Sequence, residues 1–261
     1  MNGTPAYRAA QMLAAGDLVR MDGAGAGHPP GHGLPFGLLA LDESLAAIDK
    51  PPGLRSVPDS LERDDTAVAW CRRVLPPPGY WAAHRLDRGT SGVLLLARTP
   101  DVRRRLAAAW DGVRKVYWAV VDGRPPAPEG QIDEPLLEDR ALFVRISRRP
   151  EARRAVTGYR LLATGSGRSL VEARPLTGRK HQIRVHLAAL GCPVAGDGRY
   201  GGPPSRGRRP APRLWLHAAG LSLAHPATGR WLDLRSPYPA DFPLEFARHA
   251  PPDPATAPGG A

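Results

Sequence analysis

The apolar residues of this chain are grouped in short runs, each bounded by Gly, Pro or charged residues. That pattern restricts it more than any other feature to a fold built mainly from strands. The runs are Leu45 to Ile48, Val93 to Ala97, Val116 to Val121, Ala141 to Ile146, Ser169 to Ala173, Leu214 to Leu216 and Leu221 to Leu223. They have the length of strands, and none approaches the length a bilayer requires. Two helices are better signalled. Thr99-Pro100-Asp101 supplies an N-cap, a proline at the first helical position and an acid in the first turn, ahead of "VRRRLAAAW". Thr177 is a candidate cap for "GRKHQIRVHLAAL", in which Ile183, Leu187 and Leu190 share a face, and Gly191 then Pro193 stop the helix. Strands in runs, with helices interspersed but not alternating, imply an α+β fold on a mostly antiparallel sheet with flanking helices.

The ends of the chain read differently from its middle. Residues 1–38 are expected to form an N-terminal extension, with a short helix candidate from Tyr7 to Ala15 and a Gly/Pro/His-rich linker from Gly23 to Gly37. Residues 39–248 are expected to form one domain, and 249–261 a disordered tail. "GGPPSRGRRPAP", from Gly201 to Pro212, reads as a flexible basic loop. No basic-then-apolar signal segment opens the sequence, and the two cysteines, Cys71 and Cys192, make neither a disulfide framework nor a spaced metal motif. A cytoplasmic protein is expected. The formal net charge of +11 points to a polyanionic partner such as nucleic acid. Only Lys50, Lys115 and Lys180 are lysines; the rest of the 36 basic residues are arginine.

Three stretches hold residues that could carry chemistry. Asp87 lies in "HRLDRGTSG", just ahead of the apolar "VLLLA". It is either a reactive carboxylate held at the edge of a core strand or the centre of an Arg85–Asp87–Arg88 surface cluster, which would contribute little stability. In "TGRKHQIRVH", Arg179, Lys180, His181, Arg184 and His186 crowd the start of a helix whose dipole is already positive there. Phosphates or a buried carboxylate would relieve that crowding. A metal is disfavoured, because His181 and His186 are five residues apart and do not share a helical face. In "RKVYWAVVDG", alternation sets Tyr117 and Trp118 on opposite faces of a strand, either as ordinary core or as a platform for a base. Lys50 in "IDKPPGL" adds a basic residue beside a turn.

Taken in order, "IDKPPGL", "HRLDRGTSGVLLLAR", "KVYWAVVDG", "RRAVTGYRLL", "LTGRKHQIRVHLAALGCPVAGDGRYG" and "LWLHAAGLSLAHPATG" resemble the RluA-type family of pseudouridine synthases, from about Ile48 to about Phe242. The resemblance implies the pseudouridine synthase fold with a central cleft, and an enzyme that isomerises uridine in structured ribosomal or transfer RNA. It implies no cofactor and no metal, and a monomer with no obligate protein partner. By resemblance Asp87 is the catalytic carboxylate, Arg184 its counter-cation, and Tyr117 the aromatic residue beneath the flipped base. Two unit charges 4 Å apart attract by roughly 4 kcal/mol at an effective dielectric of about 20, enough to oppose the desolvation of Asp87 in a closed site. Arg85 matches the arginine that enters the stack vacated by the flipped uridine, and Ile183 is expected to line the pocket. Lys50, Arg179, Lys180 and His181 complete the expected RNA-binding set.

The chain also departs from that family. Only "AAQMLAAGDLVRMDG" resembles the end of the N-terminal RNA-binding domain that many relatives carry, so a complete accessory domain is not expected. The "RSVP" after Leu54 differs from the family pattern. Extra RNA affinity is therefore expected from the Arg206–Arg213 loop. Two other classes compete with the enzyme reading. One is a non-catalytic RNA-binding or ribosome-assembly protein on the same fold, against which Asp87, Tyr117 and Arg184 argue. The other is a glycoside or nucleoside hydrolase, which would need a second acid.

Overall fold

In the computed structural model the residues described are 35–58, 65–201 and 210–250. The helix candidate at 7–15, almost all of the expected linker, residues 202–209 of the basic loop and the tail from 251 lie outside them. In chain order the strands are β1 (Gly37–Leu41), β2 (Leu45–Lys50), β3 (Trp81–Ala82), β4 (Ser91–Ala97), β5 (Arg114–Asp122), β6 (Glu129–Asp133), β7 (Leu136–Glu138), β8 (Val144–Ile146), β9 (Val156–Gly165), β10 (Arg168–Pro175), β11 (Leu216–Ala224) and β12 (Trp231–Arg235). The helices are α1 (Ala67–Val74), α2 (Pro100–Ala108) and α3 (Gln182–Ala189). None of the described helices is long and apolar enough to cross a membrane. The described residues divide into two compact units, one from residues 35–58, 65–113 and 220–237, the other from residues 114–201, 210–219 and 238–250.

In the first unit β2 pairs antiparallel with β1 on one side and β4 on the other, with Ile48 opposite Leu94. Every residue of β4 is buried, so its side chains are covered on both faces, and the sequence shows an unbroken apolar run rather than alternation. Leu45, Val93 and Leu95 share a core with Leu106 of α2 and with Leu221, Leu223 and Leu234 of β11 and β12. α2 starts as expected: the Thr99 hydroxyl accepts from Val102 N at 3.2 Å, and Asp101 pairs with Arg104 and Arg105. α1 has the same device at Thr66, whose hydroxyl accepts from Ala69 N at 3.2 Å.

In the second unit the strand order is β5-β10-β9-β6, antiparallel throughout. Alternation along β5 divides the unit into two apolar layers. Tyr117, Ala119 and Val121 join Val171, Ala173, Ile183, Leu187 and Val194. Trp118 and Val120 join Leu170, Trp215, Phe242 and Phe246 on the opposite face. β7 and β8 form a separate hairpin whose core is Leu136, Val144, Ala155 and Val185 of α3.

Three expectations from sequence need correction. β8 starts at Val144, because Ala141 to Phe143 are taken up by the hairpin turn. Leu214 and Trp215 lie ahead of the strand, while buried Ala218, Ala219 and Gly220 join Leu216 to the Leu221–Leu223 run in the single strand β11. Thr177 does not cap α3. The helix starts at Gln182 after His181, which sits at φ 54°, and the Thr177 hydroxyl instead donates to Gln182 Oε1 at 2.7 Å.

Candidate active site

Asp87 belongs to the first unit, in the tight turn that leads into β4, where its carbonyl accepts from Thr90 N at 3.0 Å. Its side chain is half-buried while both of its neighbours are fastened. On one side Leu86 N donates to Ser56 Oγ at 3.0 Å, and Ser56 Oγ donates back to the Leu86 carbonyl at 2.9 Å. On the other, the Arg88 carbonyl accepts from Gly53 N at 2.8 Å, and Arg88 Nε donates to the Gly53 carbonyl at 2.9 Å. Lys50 closes the arrangement. It is 0% exposed, and its ammonium donates to the carbonyls of Pro51 (2.8 Å), Leu54 (2.8 Å) and Arg88 (3.4 Å). Three carbonyl oxygens match three ammonium protons and make the burial of that charge tolerable. Lys50 thus stands as a post beneath the Asp87 turn. Arg85 is exposed.

Arg184 belongs to the second unit, on α3, together with Ile183, which is buried in the same apolar layer that half-buried Tyr117 packs against. Its guanidinium makes a side-on pair with Asp197: Nε to Oδ2 at 2.7 Å and Nη2 to Oδ1 at 2.8 Å. The Asp197 side chain is 0% exposed and that of Arg184 11%. Asp197 Oδ1 also accepts from the backbone N–H groups of Arg199 (3.0 Å) and Tyr200 (3.1 Å). Burial alone would push the Asp197 carboxyl up, but the bonds and charge of Arg184 with those two N–H groups outweigh it and hold the carboxyl below its ordinary value. The guanidinium also lies over the Tyr200 ring, 5.0 Å from its centroid.

Asp197 and Tyr200, which hold Arg184, are residues that the sequence alone does not single out, although both lie in "GDGRYG". The signal was there in the glycines. Gly196 sits at φ +77°, and a Cβ on it would collide with the Arg213 carbonyl, while one on Gly201 would collide with the Asp197 carbonyl. Glycine at both points allows the close turn that delivers an acid beneath α3.

α3 is held by polar groups as well as apolar ones. Gln182 Nε2 donates to the Val156 carbonyl and to Thr157 Oγ1, both at 2.9 Å, while Gln182 Oε1 accepts from Thr177 Oγ1 (2.7 Å) and Arg179 N (3.0 Å). One turn on, fully buried His186 lies between Thr157 Oγ1 (2.9 Å) and the Glu134 carbonyl (3.0 Å). The Glu134 carbonyl can only accept, so Nε2 carries the proton and Nδ1 accepts from the Thr157 hydroxyl. Burial holds the His186 imidazole below its ordinary pKa. Of the other expected phosphate binders, Arg179 is exposed and donates from Nε to the Arg154 carbonyl at 3.0 Å, and Lys180 pairs with Glu138. His181 Nδ1 meets Tyr200 Oη at 2.7 Å.

Comparison with known proteins bears on this architecture directly. Residues 44–189 match the family model described as RNA pseudouridylate synthase. The dual-specificity RNA pseudouridine synthase RluA of Escherichia coli strain K12 is 36% identical over 216 residues, covering 78% of this chain and 93% of that protein. An uncharacterized RNA pseudouridine synthase of Chloroflexus aurantiacus is 46% identical over 163 residues, 62% of this chain, and the chain spans about half (51%) of that relative's length. Among solved structures, human RNA pseudouridylate synthase domain containing 4 superposes with a TM-score of 0.65 at 30% identity, over 82% of this chain and 90% of that one. On sequence and fold together, the chain belongs to the RluA-type RNA pseudouridylate synthase family and is an enzyme that isomerises uridine in RNA.

Proposed function

We propose that this chain converts particular uridines in structured ribosomal or transfer RNA to pseudouridine, with Asp87 as the reacting carboxylate and Tyr117 and Arg184 as its partners in catalysis. The observation that supports this reading best is the treatment of the Asp87 turn. A buried lysine, a buried serine and the Arg88 backbone fix the residues on both sides of Asp87, while Asp87 itself is only half-buried ahead of a fully buried strand. A merely decorative surface acid needs no such support.

The reaction sets what the residues must do. The bond from ribose C1′ to uracil N1 breaks, the freed base turns while still bound, C5 bonds to C1′, and the proton on C5 is lost as N1 gains one. Apart from that one proton exchanged with solvent, product and substrate hold the same atoms, so one carboxylate that assists departure and return of the same base is enough. The target must leave the RNA stack, at a cost of a few kcal/mol, and the exposed guanidinium of Arg85 takes its place there. Tyr117 gives the turning ring a flat face. Arg184, fixed by Asp197, supplies positive charge toward the base carbonyls of the bound uracil. Residues 39–248 act as the catalytic domain, as a monomer in the cytoplasm, on an RNA partner.

The test uses RNA carrying tritium on uracil C5, because that hydrogen is released once per turnover. Asp87→Ala should release it ~10²–10⁴-fold more slowly than the wild-type chain while binding the same RNA equally well. Release by the variant at the wild-type rate would overturn the role of Asp87.

A further inference from the structure

The hairpin tip between β7 and β8, residues Asp139 to Phe143, has a sequence and a backbone that stability alone does not explain. Leu142 is in the left-handed region at φ 60° and is 58% exposed. A single exposed apolar side chain is ordinary. A leucine held in a conformation that glycine or asparagine adopts far more readily, with its side chain turned to solvent, is unfavourable on two counts at once. The conformation is nonetheless well fixed. Leu142 N donates to the Asp139 carbonyl at 3.0 Å, and Asp139 N donates to the Phe143 carbonyl at 2.8 Å. The Asp139 carboxylate accepts from Ala141 N and Phe143 N, both at 2.9 Å. Arg199 Nη1 reaches the Leu142 carbonyl at 3.3 Å.

Around this apolar knob lie three arginines, of which Arg145 pairs with Asp139 at 3.1 Å. Arg140 is exposed, Arg145 lies 5.9 Å from the Phe143 ring centroid, and Arg199 lies 4.4 Å from the same centroid. The hairpin is also joined to the residues that hold Arg184. Tyr200, beneath the Arg184 guanidinium, accepts from Val144 N at 3.2 Å and meets the Phe143 ring edge-on at 6.1 Å. Glu138 of β7 pairs with Lys180 just ahead of α3. A load placed on the tip therefore bears on the segment that orients Arg184.

We propose that this tip is an RNA-contact element in which Leu142 packs on the face of an unstacked base flanking the target uridine, and Arg140, Arg145 and Arg199 hold the adjoining phosphates. Apolar side chains act on opened base steps in this way, while arginines fix the register through the backbone. The inference rests on the RNA-modifying reading above and adds to it a surface that helps select which uridine is modified.

The experiment pairs stability with affinity, using unmodified tRNA and large-subunit rRNA transcripts as probes. Leu142→Gly removes both the side chain and the unfavourable backbone, so its melting temperature should equal or exceed that of the wild type, while its dissociation constant for the RNA that the wild type modifies rises about tenfold, the size of one lost base contact. Arg140→Ala with Arg145→Ala should weaken binding and flatten its salt dependence by one to two units of log–log slope, about one per phosphate lost. Leu244→Gly, which removes a still more exposed leucine elsewhere, serves as control and should leave affinity unchanged. Affinity of Leu142→Gly within twofold of wild type, or a drop of several degrees in its melting temperature, overturns the proposal. Affinity is read by filter binding without turnover, so a wild-type chain that binds these RNAs but forms no pseudouridine would instead count against the catalytic reading alone.

Discussion

The two oxygens of Asp197 are both fully engaged. Oδ2 takes Arg184 Nε, and Oδ1 takes Arg184 Nη2 together with two backbone N–H groups. Asp197→Asn keeps the shape and an acceptor for the backbone but removes the charge opposite a guanidinium that has little access to water. Breaking one side of a buried pair costs about 3–5 kcal/mol. A urea titration should show a loss of that size, and the variant should lose turnover more than RNA affinity, since the group it disorders is Arg184. An unchanged urea midpoint would mean that the pair does not hold the segment. Arg184 could be singled out in the sequence because cations crowd the start of its helix, and a crowd of one sign asks for an anion. Its partner could not, because an acid between glycines reads as a turn, and nothing local says that the turn passes beneath α3. The burial of Lys50 was not legible either: lysine is so rarely buried that its burial follows only from the three carbonyls that tertiary structure brings to it.

At the scale of elements, α3 is set in place by a directed line of hydrogen bonds from Thr177 through Gln182 and Thr157 to His186 and the Glu134 carbonyl. An apolar seam tolerates small slips; a fully satisfied polar line does not. The line requires neutral His186, whose folded pKa lies below its ordinary 6.5. As pH falls through 6.5 the unfolded chain takes up a proton that the folded chain refuses, so stability is full above that pH and declines below it, down to the folded pKa. The melting temperature should therefore fall between about pH 7 and 5, and His186→Leu should be less stable at about pH 8 but show a shallower fall over that range. Equal slopes for both proteins would exclude His186 as the titrating group. The helix itself was legible, since its apolar spacing and its stop at Gly191 are local. Its start was not, because Thr177 looks like a cap and is used in the polar line instead. β4 and β5 were legible for the same local reason. β9 was missed because Gly158 and Arg160 interrupt its apolar pattern, and β12 because its exposed face is polar and carries Trp231.

At the scale of the molecule, each of the two units contains one cysteine. Cys71 lies in α1 of the first, and Cys192 follows α3 in the second. Burial pushes the Cys71 thiol up to about 12 and the Cys192 thiol up to about 11. Neither should react with a thiol reagent until its surroundings open. Cys192→Ala and Cys71→Ala variants would thus report the opening of the first and second unit separately. Both should be protected in native buffer, and labelling of either at the rate of an exposed thiol would contradict its burial. The division into units was not legible from sequence. Each unit is assembled from separated stretches, and no shift in composition marks Val113 or Gly220 as a boundary.

That interleaving has a consequence for how the protein comes into being. Leu45, Val93 and Leu95 are translated early, but Leu221, Leu223 and Leu234, which complete their core, emerge only after most of the second unit has been made. At ~5–20 residues per second the delay is on the order of ten seconds. For that interval the strands that carry Asp87 have no finished core to join. The Asp87 turn can therefore take its bonds to Lys50, Gly53 and Ser56 early, while the core under the strand that follows it is completed only once residues 221–234 have been made.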